Sequence, residues 1–194
     1  IGGNLELKKK YNSKILGFYN DKTRIPGIDI FLREKQVEKI GNFEFKVIFI
    51  PGHTSGHIAY YFEKQKVIFS GDTLFSLGCG RVFEGTHKEM LNSLNKFKNL
   101  PSETKIYCGH EYTKNNLDFC LKQEPYNSFL KEISFKINLK IKNHLPTLPS
   151  TIGEELKANI FLRCDSKELK QALNLENATD LEIFSKLRDL KDSF

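Results

Sequence analysis

Three short stretches of this sequence set a histidine or an aspartate beside glycine, and they hold the residues most able to do chemistry. They are Pro51-Gly52-His53-Thr54-Ser55-Gly56-His57, Ser70-Gly71-Asp72-Thr73 and Cys108-Gly109-His110-Glu111-Tyr112. Neutral imidazole and carboxylate are usual ligands of divalent metals, and glycine lets the backbone bend close to an ion. A single histidine beside a glycine is ordinarily a hydrogen-bonded loop residue. Three such stretches, each after a strand-like segment, make a shared metal site the better reading of His53, Asp72 and His110. His57 reads as a group that orients His53 or its loop rather than as a ligand. His87 and His144, near helix ends, read as surface residues. Cys79 and Cys108 are chemically able to bind metal, but small residues at turns and strand ends account for them. Gly78-Cys79-Gly80 is too short for a dinucleotide motif, and no strand–helix–strand unit frames it.

The elements that must position these residues are legible in outline. Loops at strand ends are where layered α/β proteins assemble their sites. Residues 43–50 alternate and then run apolar into Pro51-Gly52. Residues 58–62 and 66–70 read as strands about the polar turn Glu63-Lys64-Gln65, residues 105–108 as a strand ending at Gly109, and residues 14–18 as a shorter one. Helices begin at Thr86, where Thr86-His87-Lys88-Glu89 has the capping-box pattern. Met90, Leu91, Leu94 and Phe97 then form one apolar stripe, stopped before Pro101. A further helix starts near Thr113. After Tyr126 the pattern is wholly helical: Leu130, Ile133, Ile137 and Ile141 make a stripe, and Thr151 to Glu154 and Thr179 to Glu182 repeat the capping box. This divides the chain near Pro125 into residues 1–124, mixed α/β, and residues 125–194, all helical. With no linker between them, the two parts are expected to pack tightly.

Composition narrows the classes. The chain has 194 residues, 39% of them hydrophobic, with 16 Phe and 7 Tyr to build a core. Its longest apolar run, residues 47–50, is strand-sized, so no membrane association is expected. Ile1-Gly2-Gly3-Asn4 is neither a signal nor a transit peptide, and without an initiator Met the natural chain is expected to begin earlier. The net charge of +6 is compatible with nucleic acid, an anionic surface or an anionic small substrate. Lys8-Lys9-Lys10 is the only tight basic run and has no interleaved aromatics, so it reads as solvated surface and nucleic acid is not expected. None of the four cysteines sits in a CxxC pair, which fits neither a zinc knuckle nor a redox motif and does fit a reducing cytoplasm.

The blocks running from Pro51 to His57 and Gly71-Asp72-Thr73-Leu74-Phe75 resemble two blocks of the metallo-β-lactamase superfamily. Gly78-Cys79-Gly80-Arg81-Val82-Phe83-Glu84-Gly85-Thr86 and Gly109-His110-Glu111-Tyr112-Thr113 narrow the resemblance to the glyoxalase II, or hydroxyacylglutathione hydrolase, family. Asn159-Ile160-Phe161-Leu162-Arg163 and Leu187-Arg188-Asp189-Leu190-Lys191-Asp192 resemble blocks of that family's helical C-terminal domain. The resemblance covers essentially the whole chain and is specific through the combination of blocks.

It implies an α/β fold, the αββα sandwich, incomplete at its N-terminus, with a C-terminal all-helical domain that binds glutathione. It implies a cytoplasmic monomer that hydrolyses S-(2-hydroxyacyl)glutathione thioesters, such as S-D-lactoylglutathione, to glutathione and a 2-hydroxy acid. That reaction is the second step of methylglyoxal detoxification. Two divalent ions, zinc with iron or manganese as alternatives, would bridge the attacking hydroxide. His53 matches a ligand of one ion, His110 a ligand of the other, and Asp72 the carboxylate that bridges both and contacts the nucleophile. Arg81, Val82 and Phe83 match a glutathione-contacting stretch, in which Phe83 lacks the hydroxyl of relatives that carry Tyr. Tyr112 matches a substrate-contacting tyrosine, and Arg188 with Lys191 the basic pair for the glutathione carboxylates. Being three apart, these two share a helix face. The family also carries a T-H-x-H-x-D-H block with two ligands for each ion, and Ile1-Gly2-Gly3-Asn4 resembles the residues directly after it. Without that block, little activity is expected of these 194 residues alone. The alternatives are another superfamily hydrolase, such as a mononuclear-iron persulfide dioxygenase or a transfer-RNA-processing nuclease, and a non-catalytic glutathione-binding remnant. The helical tail argues against the first, and the retained His53, Asp72 and His110 against the second.

Overall fold

Alternation of more and less buried residues along the central strands builds a mixed sheet with two unequal faces. The structure, a computed structural model, describes residues 2–194; the part of the junction reading that rests on Ile1 lies outside the described residues. In chain order the elements are α1 (Asn4–Tyr11), β1 (Leu16–Phe18), β2 (Ile30–Leu32), β3 (Val37–Ile40), β4 (Phe43–Phe49), β5 (Ile58–Phe62), β6 (Val67–Gly71), β7 (Leu74–Phe75) and β8 (Gly78–Cys79). They continue with α2 (His87–Lys98), β9 (Lys105–Cys108), α3 (Thr113–Gln123), α4 (Ser128–Lys142), β10 (Ser150–Thr151), α5 (Ile152–Ala158), α6 (Lys167–Ala172) and α7 (Asp180–Asp192). The main sheet has the order β10-β9-β6-β5-β4-β3; β6 and β9 are parallel and the other pairs antiparallel.

One face of this sheet carries Ala59, Tyr61, Ile68 and Ile106, and the helices cover it. Met90, Leu94 and Phe97 of α2, Leu117 and Cys120 of α3, Leu130 and Ile133 of α4, Ile152 of α5 and Ile183 and Leu187 of α7 join them in a single core. On the other face Phe45 and Val47, with Tyr60 and Phe62, pack against Leu32, Leu16 and Ile30 of the parallel β1–β2 pair. That pair covers only the β4–β5 end. At the β6–β9 end Phe69 and Tyr107 stack on each other and remain exposed.

The expected strands at residues 43–50, 58–62, 66–70 and 105–108 are present within a residue or so at their ends, and all three capping boxes form. Of the α4 stripe, Leu130, Ile133 and Ile137 are buried whereas Ile141, in the last turn, is exposed. Two elements differ from the reading. A helix, α1, precedes the first strand although helices were expected only from Thr86; its Lys8-Lys9-Lys10 run has no buried residue, as expected of solvated surface, with Lys8 paired to Asp29 at 2.5 Å. The region after Tyr126 is not wholly helical, since β10 pairs with β9 and extends the sheet. The helices beyond residue 125 therefore share a core and a sheet with what precedes them.

Candidate active site

Topology alone brings two of the candidate ligands together. β6 and β9 run parallel, with a one-residue bulge after Phe69 that brings Gly71 opposite Cys108, and the Gly109 N–H donates to the Gly71 carbonyl at 2.8 Å. The residues just beyond the two strands, Asp72 and His110, must then be neighbours. β4 runs in the same direction as β6, two strands away, so its C-terminal loop with His53 opens at the same sheet edge.

The geometry matches three donors arranged as two pairs. His53 Nε2 lies 3.7 Å from Asp72 Oδ2, and His110 Nε2 lies 3.6 Å from Asp72 Oδ1. Both separations exceed a hydrogen bond, and each imidazole faces a different oxygen of one carboxylate. Asp72 Oδ1 is buried with no hydrogen-bond partner, a costly state for a carboxylate oxygen unless a cation takes it up. Gly109 makes the approach possible, because a Cβ there would strike Asp72 Oδ1. Orphaned oxygen, facing imidazoles and glycine cradle all fit divalent ions. Among the described residues no point is shared by three or more His, Cys, Asp or Glu side chains.

Backbone hydrogen bonds set the donors in place. His53 Nδ1 lies 2.9 Å from the Arg81 carbonyl, which can only accept, so Nδ1 carries the proton and the Nε2 lone pair points toward Asp72. His57 does not touch the His53 ring nitrogens. Its Nε2 accepts from the Asp72 N–H at 2.9 Å, while its ring meets that of His53 edge-on. Burial, and then the neighbouring His53, hold the His57 pKa below the ordinary histidine range and keep it a neutral acceptor. Glu84, which sequence reasoning passed over, accepts from the Ser55 N–H at 2.8 Å and from Arg24 at 2.6 and 2.9 Å. The Arg24 guanidinium and the Ser55 donors push its pKa down to about 2. This ties the His53 loop to the stretch after Arg81.

The three donors open into a cleft of about 700 Å³. Phe75, Phe83 and Tyr112 form its aromatic wall; Tyr112 stacks on His110 with ring centroids 5.0 Å apart, and Phe83 lies against His53 at 5.1 Å. Arg81 and Lys191 supply cations at the mouth. Arg81 is exposed and pairs with Asp192 at 3.3 Å. Lys191 donates to the Asn115 carbonyl and side chain beside Phe119 and Phe194, and burial lowers its pKa to about 8. Arg188 lines the same cleft but is 3% exposed; its Nη1 donates to the Cys79 carbonyl at 2.9 Å and its Nη2 pairs with Asp192 at 3.0 Å. Val82 packs on the core and does not line the cleft. His87 and His144 lie outside the cleft lining. Cys79 lines it, but burial raises its thiol pKa to about 11, so it stays a thiol.

The comparisons fit this architecture. Residues 1–110 match the family model described as the metallo-beta-lactamase superfamily, and residues 111–194 match that of the hydroxyacylglutathione hydrolase C-terminus. A curated hydroxyacylglutathione hydrolase of Pelagibacter ubique (strain HTCC1062) is 50% identical over 194 residues, covering 100% of this chain and 75% of the relative. One from Chelativorans sp. (strain BNC1) is 47% identical, covering 100% of this chain and 76% of the relative. The chain belongs to the hydroxyacylglutathione hydrolase family. Solved structures agree at the level of fold: ETHE1 from Myxococcus xanthus superposes with a TM-score of 0.61 at 20% identity, covering 96% of this chain and 68% of the other. The structure of TTHA1623 in a di-iron-bound form gives 0.57 at 22% identity, covering 84% and 71%. The hydrolase family's metallo-β-lactamase fold thus accounts for the mixed sheet, and its C-terminal region for the helices that close the cleft.

Proposed function

We propose that the cleft hydrolyses S-(2-hydroxyacyl)glutathione thioesters, with S-D-lactoylglutathione as the substrate to try first. The observation that carries this reading is the pairing of His53, Asp72 and His110 in a cleft that Lys191 and Arg81 also line. A glutathione thioester has a part for each, with a reactive acyl carbon at one end and free carboxylates at the other. His53 with Asp72 Oδ2 would hold one divalent ion, and His110 with Asp72 Oδ1 the second. Imidazole and carboxylate donors suit zinc, with iron or manganese as alternatives. When bound, such ions supply an acidified water and a Lewis acid for the acyl carbonyl.

The chain's own residues do the rest. Asp72 fixes the separation of the two imidazoles and offers an oxygen to each. Phe75, Phe83 and Tyr112 present apolar surface that displaces water from the acyl group. Lys191 and Arg81 orient the carboxylate end by charge, and Arg188 holds the wall of the cleft. The leaving thiol has a pKa of about 8.5, so it departs without strong general-acid help. With two donors at each ion position, these 194 residues are expected to turn over slowly. A soluble, reducing compartment suits the four free cysteines.

The reading is checked by offering the metal-loaded protein three substrates in parallel: S-D-lactoylglutathione, glutathione persulfide and precursor transfer RNA. Metal-dependent release of glutathione from the first alone is the expected outcome. Consumption of the persulfide or cleavage of the RNA in preference to the thioester would overturn it.

A further inference from the structure

The short turn from Phe75 to Gly80, which carries β8 back from β7, has each of its backbone carbonyls and the Leu77 N–H bonded by a side chain of α3, α7 or the segment 155–159. Asn159 Nδ2 donates to the Phe75 carbonyl at 3.3 Å and to the Gly78 carbonyl at 3.1 Å. Asn116 Nδ2 donates to the Ser76 carbonyl at 3.0 Å, and the Cys120 thiol to the Leu77 carbonyl at 3.2 Å. The Leu77 N–H donates to Glu155 Oε2 at 2.8 Å, and Asn159 Nδ2 donates to the same oxygen at 2.9 Å. Arg188 completes the set at Cys79 and Gly80. Glu155 and Asn159 are completely buried. A carboxylic group fully removed from water is expensive to keep, and here it holds Leu77 at φ +58°, a conformation unfavourable for a leucine.

The turn is in direct contact with the donors. A Cβ on Gly80 would collide with the Asp72 carbonyl and come within 3.3 Å of His53 Nδ1. The Gly80 N–H donates to the Thr73 carbonyl at 3.1 Å. The next residue, Arg81, supplies the carbonyl that accepts from His53 Nδ1. Any shift of the turn therefore moves the acceptor that fixes the His53 tautomer.

We propose that Glu155, with Asn159 and Asn116, acts as a positioning residue for the ion-binding pair: through the turn and the Arg81 carbonyl it holds His53 with its proton on Nδ1 and its Nε2 free to bind metal. The helical part thus prepares the ion-binding pair as well as supplying Lys191 to the cleft. This rests on His53 being a ligand, as set out under the proposed function.

The test reads the His53 ring nitrogens by ¹⁵N NMR in the metal-free protein, and zinc affinity by competition with a chromophoric chelator. Wild type and Glu155→Gln, whose amide oxygen can still accept from Leu77, should show one tautomer with the proton on Nδ1. Glu155→Leu should show a mixture and bind zinc roughly tenfold more weakly, the lower end of what losing an outer partner of a metal ligand costs. Asn116→Ala, which removes the hydrogen bond to the Ser76 carbonyl and leaves Glu155 in place, should shift both readouts in the same direction by less, and it decides the matter if Glu155→Leu does not fold. An unchanged tautomer and zinc affinity in a folded Glu155→Leu, or in Asn116→Ala where that variant alone folds, overturns the proposal. Because the tautomer is read without metal, wild-type protein that failed to bind zinc would count against the ligand assignment and not against the role of the turn.

Discussion

The two oxygens of Asp72 differ: Oδ1 is buried and without a partner beside His110, while Oδ2 faces His53. Asp72→Ala removes the carboxylate that faces both His53 and His110. It should lower kcat by two to three orders of magnitude, on the order of 3–4 kcal/mol, with a much smaller change in KM; steady-state kinetics check this. Lys191 and Arg188 should separate in a different way. Lys191 has its pKa lowered to about 8 by burial and, secondarily, by Arg188, against Asp118, Cys120 and Cys79, which raise it. It is a cation below that pH and neutral above it, so KM for an anionic thioester should rise as pH climbs through about 8, and Lys191→Ala should abolish that rise. Arg188→Ala strips the Cys79 and Gly80 carbonyls of their donor. Its cost of about 1–3 kcal/mol should appear as a melting temperature lower by several degrees, in addition to any change in KM. His53, Asp72 and His110 were legible because their chemistry is carried by residue type. The burial of Arg188 was not: a three-residue spacing puts Arg188 and Lys191 on one helix face, but how deep each reaches depends on where α7 lies against β8.

At the scale of elements, α5 carries a titration the sequence did not advertise. Burial raises the Glu155 pKa to about 7, against bonds from Leu77 and Asn159 that lower it. A carboxyl that is harder to ionise in the folded chain favours folding while protonated. Its contribution is complete below the ordinary carboxylate range near 4.5 and is lost as pH rises through about 7. Wild-type stability should therefore fall by about 3 kcal/mol between those limits, and Glu155→Gln should flatten the dependence; urea midpoints at several pH values measure it. In the sequence, Thr151 to Glu154 announced where α5 begins, but no local pattern distinguishes Glu155 from a solvated neighbour. The two-residue β10 escaped for a related reason. It is too short to show alternation, and only pairing with β9 makes it a strand.

At the scale of the molecule, coverage of the sheet is uneven. The helices bury one face, β1 and β2 shield part of the other, and Phe31, Phe43, Phe69 and Tyr107 are left exposed with Val37 and Ile40 of the edge strand β3. Exposed apolar patches and unpaired edges promote association. These 194 residues should self-associate at micromolar concentrations, and Phe69→Lys should reduce it; sedimentation velocity distinguishes the outcomes. The class of fold was legible because the strands follow a simple alternation and each site stretch falls at a strand end. The lack of a linker near residue 125 led to the expectation of tight packing, and one hydrophobic core runs through both parts; which residues form it is a property of packing that no local pattern displays.

The chemistry proposed for the cleft requires that His53, Asp72 and His110 bind divalent metal together. The most direct measurement is a zinc titration of the protein followed by the ¹⁵N signals of its histidine side chains, alongside Asp72→Ala. The predicted result is that the Nε2 signals of His53 and His110 shift together on zinc addition, that His57, His87 and His144 keep their ring nitrogens unligated, and that Asp72→Ala abolishes the shifts. Zinc that left both Nε2 signals unmoved, or bound equally well without Asp72, would contradict it.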